Sequence, residues 1–208
     1  MELYMTCAAI DRHNPSARQA LADCCDMHKN IMQLYSPSEN SVARYTEKIL
    51  YRIVEQQNEI MLYLTSSRLP DMRQTAWINS HTVRQCDLQP LVNRFAPGQT
   101  FSFDLLTHPS KKVIRTGANS RRVFLRTAQE RADWLRHQGE KGGFRVVSLQ
   151  EDTPFDLHGK RSTGNICLRA VRMMGRLEIT DTVRFADAYQ SGIGPEKAYG
   201  MGMLLLGG

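Results

Sequence analysis

The sequence predicts an α+β protein in two tandem halves, each with strands and helices in the order β-α-β-β-α-β. Two observations carry this. Residues 2–89 hold four stretches of strand character and two of helical character in that order. After "NRFAPGQ" (93–99), which bears Pro and Gly and reads as a linker, a second set runs through the same order with insertions. The split β-α-β unit is the ferredoxin-like, or RRM-like, arrangement. The expected domains are therefore 1–92 and 97–208. The repeat is architectural, and no residue-level repeat accompanies it.

In the first half, "ELYMTCAAI" (2–10) is short and apolar, a strand. "NPSARQALADCCDMHKNIMQLY" (14–35) opens on the capping residues Asn14, Pro15 and Ser16. Ala17, Leu21, Cys24, His28, Ile31 and Tyr35 then recur at helical spacing, which predicts one helix. "SPSEN" (36–40) is a loop, and residues 48–67 read as two strands turning at Gln57-Asn58. Residues 71–80 are a weak helix candidate after Pro70, and 81–89 alternate like a strand.

In the second half, 100–108 is a strand, followed by a basic segment at 109–122 with a turn at Gly117-Ala118-Asn119. "VFLRT" (123–127) reads as a short strand, and 128–139 as a helix stopped by Gly139. A strand at 144–150, a basic hairpin or loop at 155–165 and a long alternating strand at 166–180 follow. A capped helix at 181–192 ends on Gly192, and 201–206 is the final strand.

Hydrophobic residues make up 41% and charged residues 23%, as in ordinary folded domains, so a disordered chain is excluded. No apolar run nears the ~20 residues of a membrane span. The N-terminal stretch lacks signal-peptide features, so a cytoplasmic protein is expected. The five cysteines are odd in number and form no CxxC, which argues against a disulfide framework or zinc ribbon. Net charge is +6, and all of it lies in 97–208, where 17 Lys/Arg face 11 Asp/Glu. Between Lys111 and Arg126 stand six basic residues and no acidic one, which fits a polyanionic partner such as nucleic acid, or a solvated basic surface.

His28 shares its helix direction with Leu21, Cys24 and Ile31 at about 100° per residue. The pattern allows a buried, hydrogen-bonded histidine or a histidine at a cleft between two β-sheet domains, suited to proton transfer. Cys24 and Cys25 near it suggest a Cys-His pair or a metal site, but no second ligand cluster or orienting third group supports either. The tail "GIGPEKAYGMGMLLL" (192–206) places Gly192, Gly194, Gly200 and Gly202 around Lys197. It is either a flexible loop or one whose amides and lysine approach phosphates. The basic segment 108–126 is a surface hairpin or a contact for an RNA duplex. "HGKR" adds His158, a second candidate histidine, with Lys160 and Arg161.

The histidine-bearing first helix, "GFRVVSLQ" (143–150) before a basic loop, and the glycine-rich C-terminal segment together resemble the CasE-type CRISPR RNA endoribonucleases. These are the repeat-processing subunits of Cascade-like complexes. The likeness spans nearly the whole chain. It is strongest toward the C-terminus and in "ADWLRHQGEKGGFRVV" (132–147), and looser before residue 90.

The resemblance implies two ferredoxin-like domains and metal-independent cleavage of precursor CRISPR RNA beside a repeat stem-loop, with no cofactor. Attack by the 2′-hydroxyl would leave a 2′,3′-cyclic phosphate and a 5′-hydroxyl. His28 matches the family's catalytic histidine. The family's tyrosine three residues earlier is Cys25 here, which makes that thiol a catalytic candidate. Lys160 and Arg161 match positions at the scissile region, and Lys197 matches the lysine of the glycine-rich loop. The expected catalytic set is His28, Cys25 and Lys160. The expected RNA-binding set is Lys111, Lys112, Arg115, Arg121, Arg122, Arg126, His158, Arg161, Lys197, Gly194 and Gly200. The implied partners are CRISPR repeat RNA and the other subunits of a class 1 effector, type I-E Cascade or a type IV relative. No membrane is involved, and the free protein would be a monomer. The alternatives are a repeat-binding structural subunit that cuts weakly or not at all, and an unrelated RNA-binding protein. The second lacks the RRM aromatic signature.

Overall fold

The computed structural model describes residues 2–35, 47–56, 59–115 and 118–207. Two antiparallel sheets organise it. In the first, β1 (Tyr4–Ile10) lies between β3 (Glu59–Ser66) and β4 (Arg84–Asp87), and β2 (Leu50–Gln56) flanks β3, giving the order β2-β3-β1-β4. This is the ferredoxin-like order, in which the first and third strands are central. The expected turn at Gln57-Asn58 and the loop at 36–40 fall outside the described residues.

The single helix expected over 14–35 is two helices. Asn14 caps α1 (Pro15–Ala22), accepting from the Ser16 amide at 2.9 Å. Asp23 then leaves helical geometry (φ −133°, ψ 112°) and caps α2 (Cys24–Gln33). Its side chain accepts from the amides of Cys25 and Asp26 at 2.8 and 3.2 Å. A short carboxylate that offers backbone amides this alternative competes with helix continuation. The break resets the phase of the second helix. Cys24, Cys25, Met27 and Ile31 are its buried residues, and His28 is only half-buried.

The helix expected over 71–80 does not form. Asp71 and Asn79 each cap a single 3-10 turn, at Met72–Gln74 and Ser80–Thr82. Trp77 and Ile78 between them are buried in the first core. A one-turn helix, α3 (Gln89–Val92), follows β4.

The second sheet comprises β5 (Thr100–Thr107), β8 (Phe144–Glu151), β10 (Gly164–Ile179) and β11 (Leu204–Gly207) in the order β11-β5-β10-β8. It repeats the ferredoxin-like order, with α4 (Ala128–Lys141) and α5 (Thr182–Ser191) as its helices. The basic segment is a separate ribbon of β6 (Ser110–Arg115) and β7 (Ala118–Phe124). The strand expected at 123–127 therefore ends at Phe124, because Thr127 is the N-cap of α4 in a capping box with Glu130. Gly139 does not stop that helix, which runs to Lys141 before the C-cap Gly142. Gly139 instead makes room for Phe144, whose carbonyl oxygen would lie 2.5 Å from an added Cβ. The final strand starts at Leu204, three residues later than expected.

The strand β9 (Phe155–Arg161) pairs with the N-terminal half of β10, from Gly164↔Arg161 to Ala170↔Phe155. The long strand is thus shared between the sheet and a hairpin. One ion-pair network ties the two sheets together. Arg52 on β2 donates to one Asp104 oxygen on β5 at 3.1 Å, and Arg172 on β10 holds the other at 2.7 Å. Residues 93–99 join the halves but are not a free tether. Phe95 is buried in the second core, with ring centroids 4.9 Å from Phe185, 5.7 Å from Tyr189 and 5.8 Å from Phe101.

Replacing Phe95 with Ala is expected to cost about 3–5 kcal/mol. A lowered urea midpoint with an unchanged m-value would report it. A change under about 1 kcal/mol would mean that this segment is only a linker.

Candidate active site

The site begins with the Asp23 carboxylate. One oxygen caps α2, and the other accepts from the backbone amide of Lys160 at 2.9 Å, a residue 137 positions away. This bond lays the β9–β10 hairpin over the start of α2. The approach is so close that only glycine fits at position 159. An added Cβ would lie 2.7 Å from the Cys25 sulfur and 2.8 Å from that of Cys24. Burial, then the neighbouring Cys25, pushes the Cys24 thiol up to about 12, so it stays protonated and unreactive.

One turn along α2, His28 emerges into a cavity of about 510 Å³. Cys25, Lys29, Lys160, Arg161, Ser162, Thr163 and Tyr199 complete its lining. Lys29 is paired with Asp26 at 2.8 Å, and hydrogen bonds from Lys29 and Gln19 hold the Asp26 carboxyl below its usual range. Arg161 donates a hydrogen bond to the Tyr199 hydroxyl, and its guanidinium carbon lies 5.5 Å from the centre of that ring. The imidazole of His28 stands beside the same ring, with centroids 6.2 Å apart and planes at 60°.

The glycine-rich segment positions Tyr199. The 3-10 turn Lys197–Tyr199 is flanked by Glu196 (φ 61°) and Gly200 (φ 77°), both left-handed. At Gly200 an added Cβ would lie 2.9 Å from the Tyr51 ring. The Tyr51 hydroxyl donates to the Ala198 carbonyl at 3.1 Å. Gly194 (φ 82°) abuts Trp134 in the same way. The Lys197 ammonium donates to the Ser191 carbonyl at 2.6 Å, which braces the loop from within the protein. Lys197, Gly194 and Gly200 therefore frame Tyr199.

The remaining expected site residues fall into three places. His28, Cys25, Lys160 and Arg161 meet at the cavity. Side chains alternate along a strand, so Arg161 leaves β9 on the same face as Gly159, toward α2, and Lys160 on the other. His158 borders an adjacent, more apolar groove with Tyr51, Leu106, Phe155 and Leu157, which Tyr199 also lines. Lys111, Lys112, Arg121, Arg122 and Arg126 are exposed on or just beyond the β6–β7 ribbon, and are not among the described residues of the cavity wall. Arg115 belongs to β6, but its side chain is outside the described residues.

Sequence reasoning missed Asp23 and Tyr199. Asp23 left a signal, a cap-type residue inside an apparent helix. Tyr199 left none, because a lone tyrosine in a loop has no period. Among the described residues, no group of three or more His, Cys, Asp or Glu side chains could hold a metal ion. No helix among them is long and apolar enough to cross a membrane.

Two ferredoxin-like units in tandem, with a histidine and cations where they meet, define the class of this protein. The chain belongs to the family described as CRISPR associated protein, which matches residues 3–207. It is 27% identical to the CRISPR-associated endoribonuclease Cse3 of Thermus thermophilus, over 97% of this chain and 98% of that one. The structure of Thermus thermophilus Cse3 bound to an RNA representing a pre-cleavage complex superposes with a TM-score of 0.85, at 25% identity and full coverage of both chains. A chain of a CRISPR RNA-guided surveillance complex in a pre-nicking state shares the fold, with a TM-score of 0.73 at 24% identity over 98% of each chain.

At about pH 8, iodoacetamide is expected to label the exposed Cys86 and Cys167 first and Cys24 only on unfolding. Peptide mass spectrometry reads this. Rapid labelling of Cys24 in the folded protein would contradict the hairpin cover.

Proposed function

We propose that the protein is a metal-independent endoribonuclease that binds the repeat stem-loop of precursor CRISPR RNA and cuts beside it. The observation that carries this is the half-buried His28 at a cavity lined by Lys160 and Arg161. The likeness to an endoribonuclease solved with RNA supports it. In the proposed reaction the 2′-oxygen attacks the adjacent phosphorus. A bond forms between them, and the bond from phosphorus to the 5′-oxygen breaks. The 2′ proton is lost, and the departing 5′-oxygen gains one. His28 carries one of these protons. Arg161 offsets the charge that grows on the phosphate, Lys160 contributes to the cavity wall through the backbone that Asp23 holds, and holding the three reacting atoms in line supplies much of the rate. Cys25 forms part of the cavity wall under the hairpin.

On this reading the β6–β7 ribbon, with Lys111, Lys112, Arg121 and Arg122, grips the phosphate backbone of the stem. The processed RNA stays within a class 1 effector complex, as the fold match to a surveillance-complex subunit suggests. A cytoplasmic setting, a monomeric free protein and domains divided as 1–92 and 97–208 belong to the same proposal.

Single-turnover cleavage of the host's repeat RNA in EDTA tests it. The wild type is expected to cut, and His28→Ala to lose at least about 100-fold in rate while still binding. Tight binding with no cleavage by either protein would favour a structural subunit that holds the repeat. Replacing Arg121 and Arg122 together is expected to weaken binding and reduce the slope of log affinity against log salt by roughly 1.5. An unchanged slope would remove the ribbon from the interface.

A further inference from the structure

We infer that Tyr199 is a second catalytic group, whose hydroxyl donates a hydrogen bond to a non-bridging oxygen of the phosphate that His28 serves. This rests on the nuclease reading and adds a group that the sequence pattern did not point to.

The geometry carries the inference. The phenol and the imidazole of His28 line the same cavity, with ring centroids 6.2 Å apart. A phosphate seated in that cavity, alongside the two rings, would meet both. The phenol oxygen accepts a hydrogen bond from Arg161. A guanidinium has donors only, so it cannot take the phenol's proton in return. That proton is left for an acceptor elsewhere, and the donation polarises the hydroxyl and makes it a better donor. Arg161 thereby fixes the hydroxyl while bringing positive charge to the same wall.

The support around Tyr199 points the same way. Glu196, a non-glycine residue, is held left-handed (φ 61°) just before the turn. Such conformations persist where the surroundings over-determine them, and they cluster at functional sites. The Tyr51 hydroxyl on the Ala198 carbonyl and the Lys197 ammonium on the Ser191 carbonyl brace the turn from both sides. A side chain needed only to fill space would not require this bracing. A hydrogen-bond donor aimed at a developing charge does, because its contribution depends on being held in place before the reaction.

Tyr199→Phe tests the inference, because it keeps the ring beside His28 and removes only the hydroxyl. Single-turnover cleavage, RNA dissociation constant, thermal midpoint and the pH profile of the rate would be measured for wild type, Tyr199→Phe and His28→Ala. The expected result is a rate lower by about 10- to 100-fold at every pH, with affinity and thermal midpoint kept and the inflection of the profile unmoved. A rate equal to wild type would overturn the inference and leave the nuclease reading intact, provided His28→Ala is inactive. A slower rate accompanied by equal loss of affinity or a lower thermal midpoint would also overturn it, since Tyr199 would then be a structural residue. If the wild type itself does not cleave, the nuclease reading falls, and this inference with it.

Discussion

The Asp23 carboxylate is the interaction on which the rest of the site depends. One oxygen ends a helix and starts another, and the other fastens a hairpin from the far half of the chain. Each function is modest alone. A side-chain N-cap contributes about 0.5–2 kcal/mol, and a hydrogen bond to a charged group about 1.5–3 kcal/mol. Their joint effect is geometric. The cap sets the rotation of α2, so that Cys24 and Cys25 turn under the hairpin and His28 turns outward. The second bond brings Arg161 to the same side. Gly159 is the steric condition for both, because any side chain there would collide with the two sulfurs.

The two sheets are tied to each other separately, by Arg52, Asp104 and Arg172. Burial pulls the Arg52 guanidinium down to about 10, and Asp104 opposes that shift. Arg52 therefore remains charged at neutral pH and keeps its claim on Asp104. Removing one member of such a buried pair strands the other, which is far more damaging than exchanging the whole set for apolar residues. The network accordingly acts as a register pin between the two sheets and not as a general source of stability. Phe95 plays the apolar counterpart, anchoring the crossing chain in the second core.

How much of this could be read beforehand follows from which features leave a period. The alternation in "ICLRAVRMMGRLEIT" is visible along the chain, and β10 runs from Gly164 to Ile179, close to the expected 166–180. The cap and stop of α5, Asp181 and Gly192, are chemically specific and stand where expected. His28 was legible as a choice between core and cleft, and the resemblance tipped the choice. The break at Asp23 was not legible, because its neighbours carry a good helical pattern and a single cap residue does not outweigh it. Gly139 was misread as a stop because its cause, the approach of Phe144, is tertiary. The helix expected at 71–80 lost to two short polar caps. Tyr199 was invisible for the same reason as Gly139, since its meaning lies in two residues distant in sequence, His28 and Arg161.

The spacing of these parts along the chain has a consequence for synthesis. Asp23 and the amide it holds are 137 residues apart. At about 5–20 residues per second, α2 emerges from the ribosome roughly 7–27 seconds before the hairpin that covers it. Until then the Cys24 and Cys25 thiols are open and the cavity beside His28 lacks Arg161. The phenol of Tyr199 arrives later still. An RNA that met the growing chain would find a histidine without the groups around it. Assembly of the site is therefore a late event in making the protein, and it reports that both halves have folded against each other.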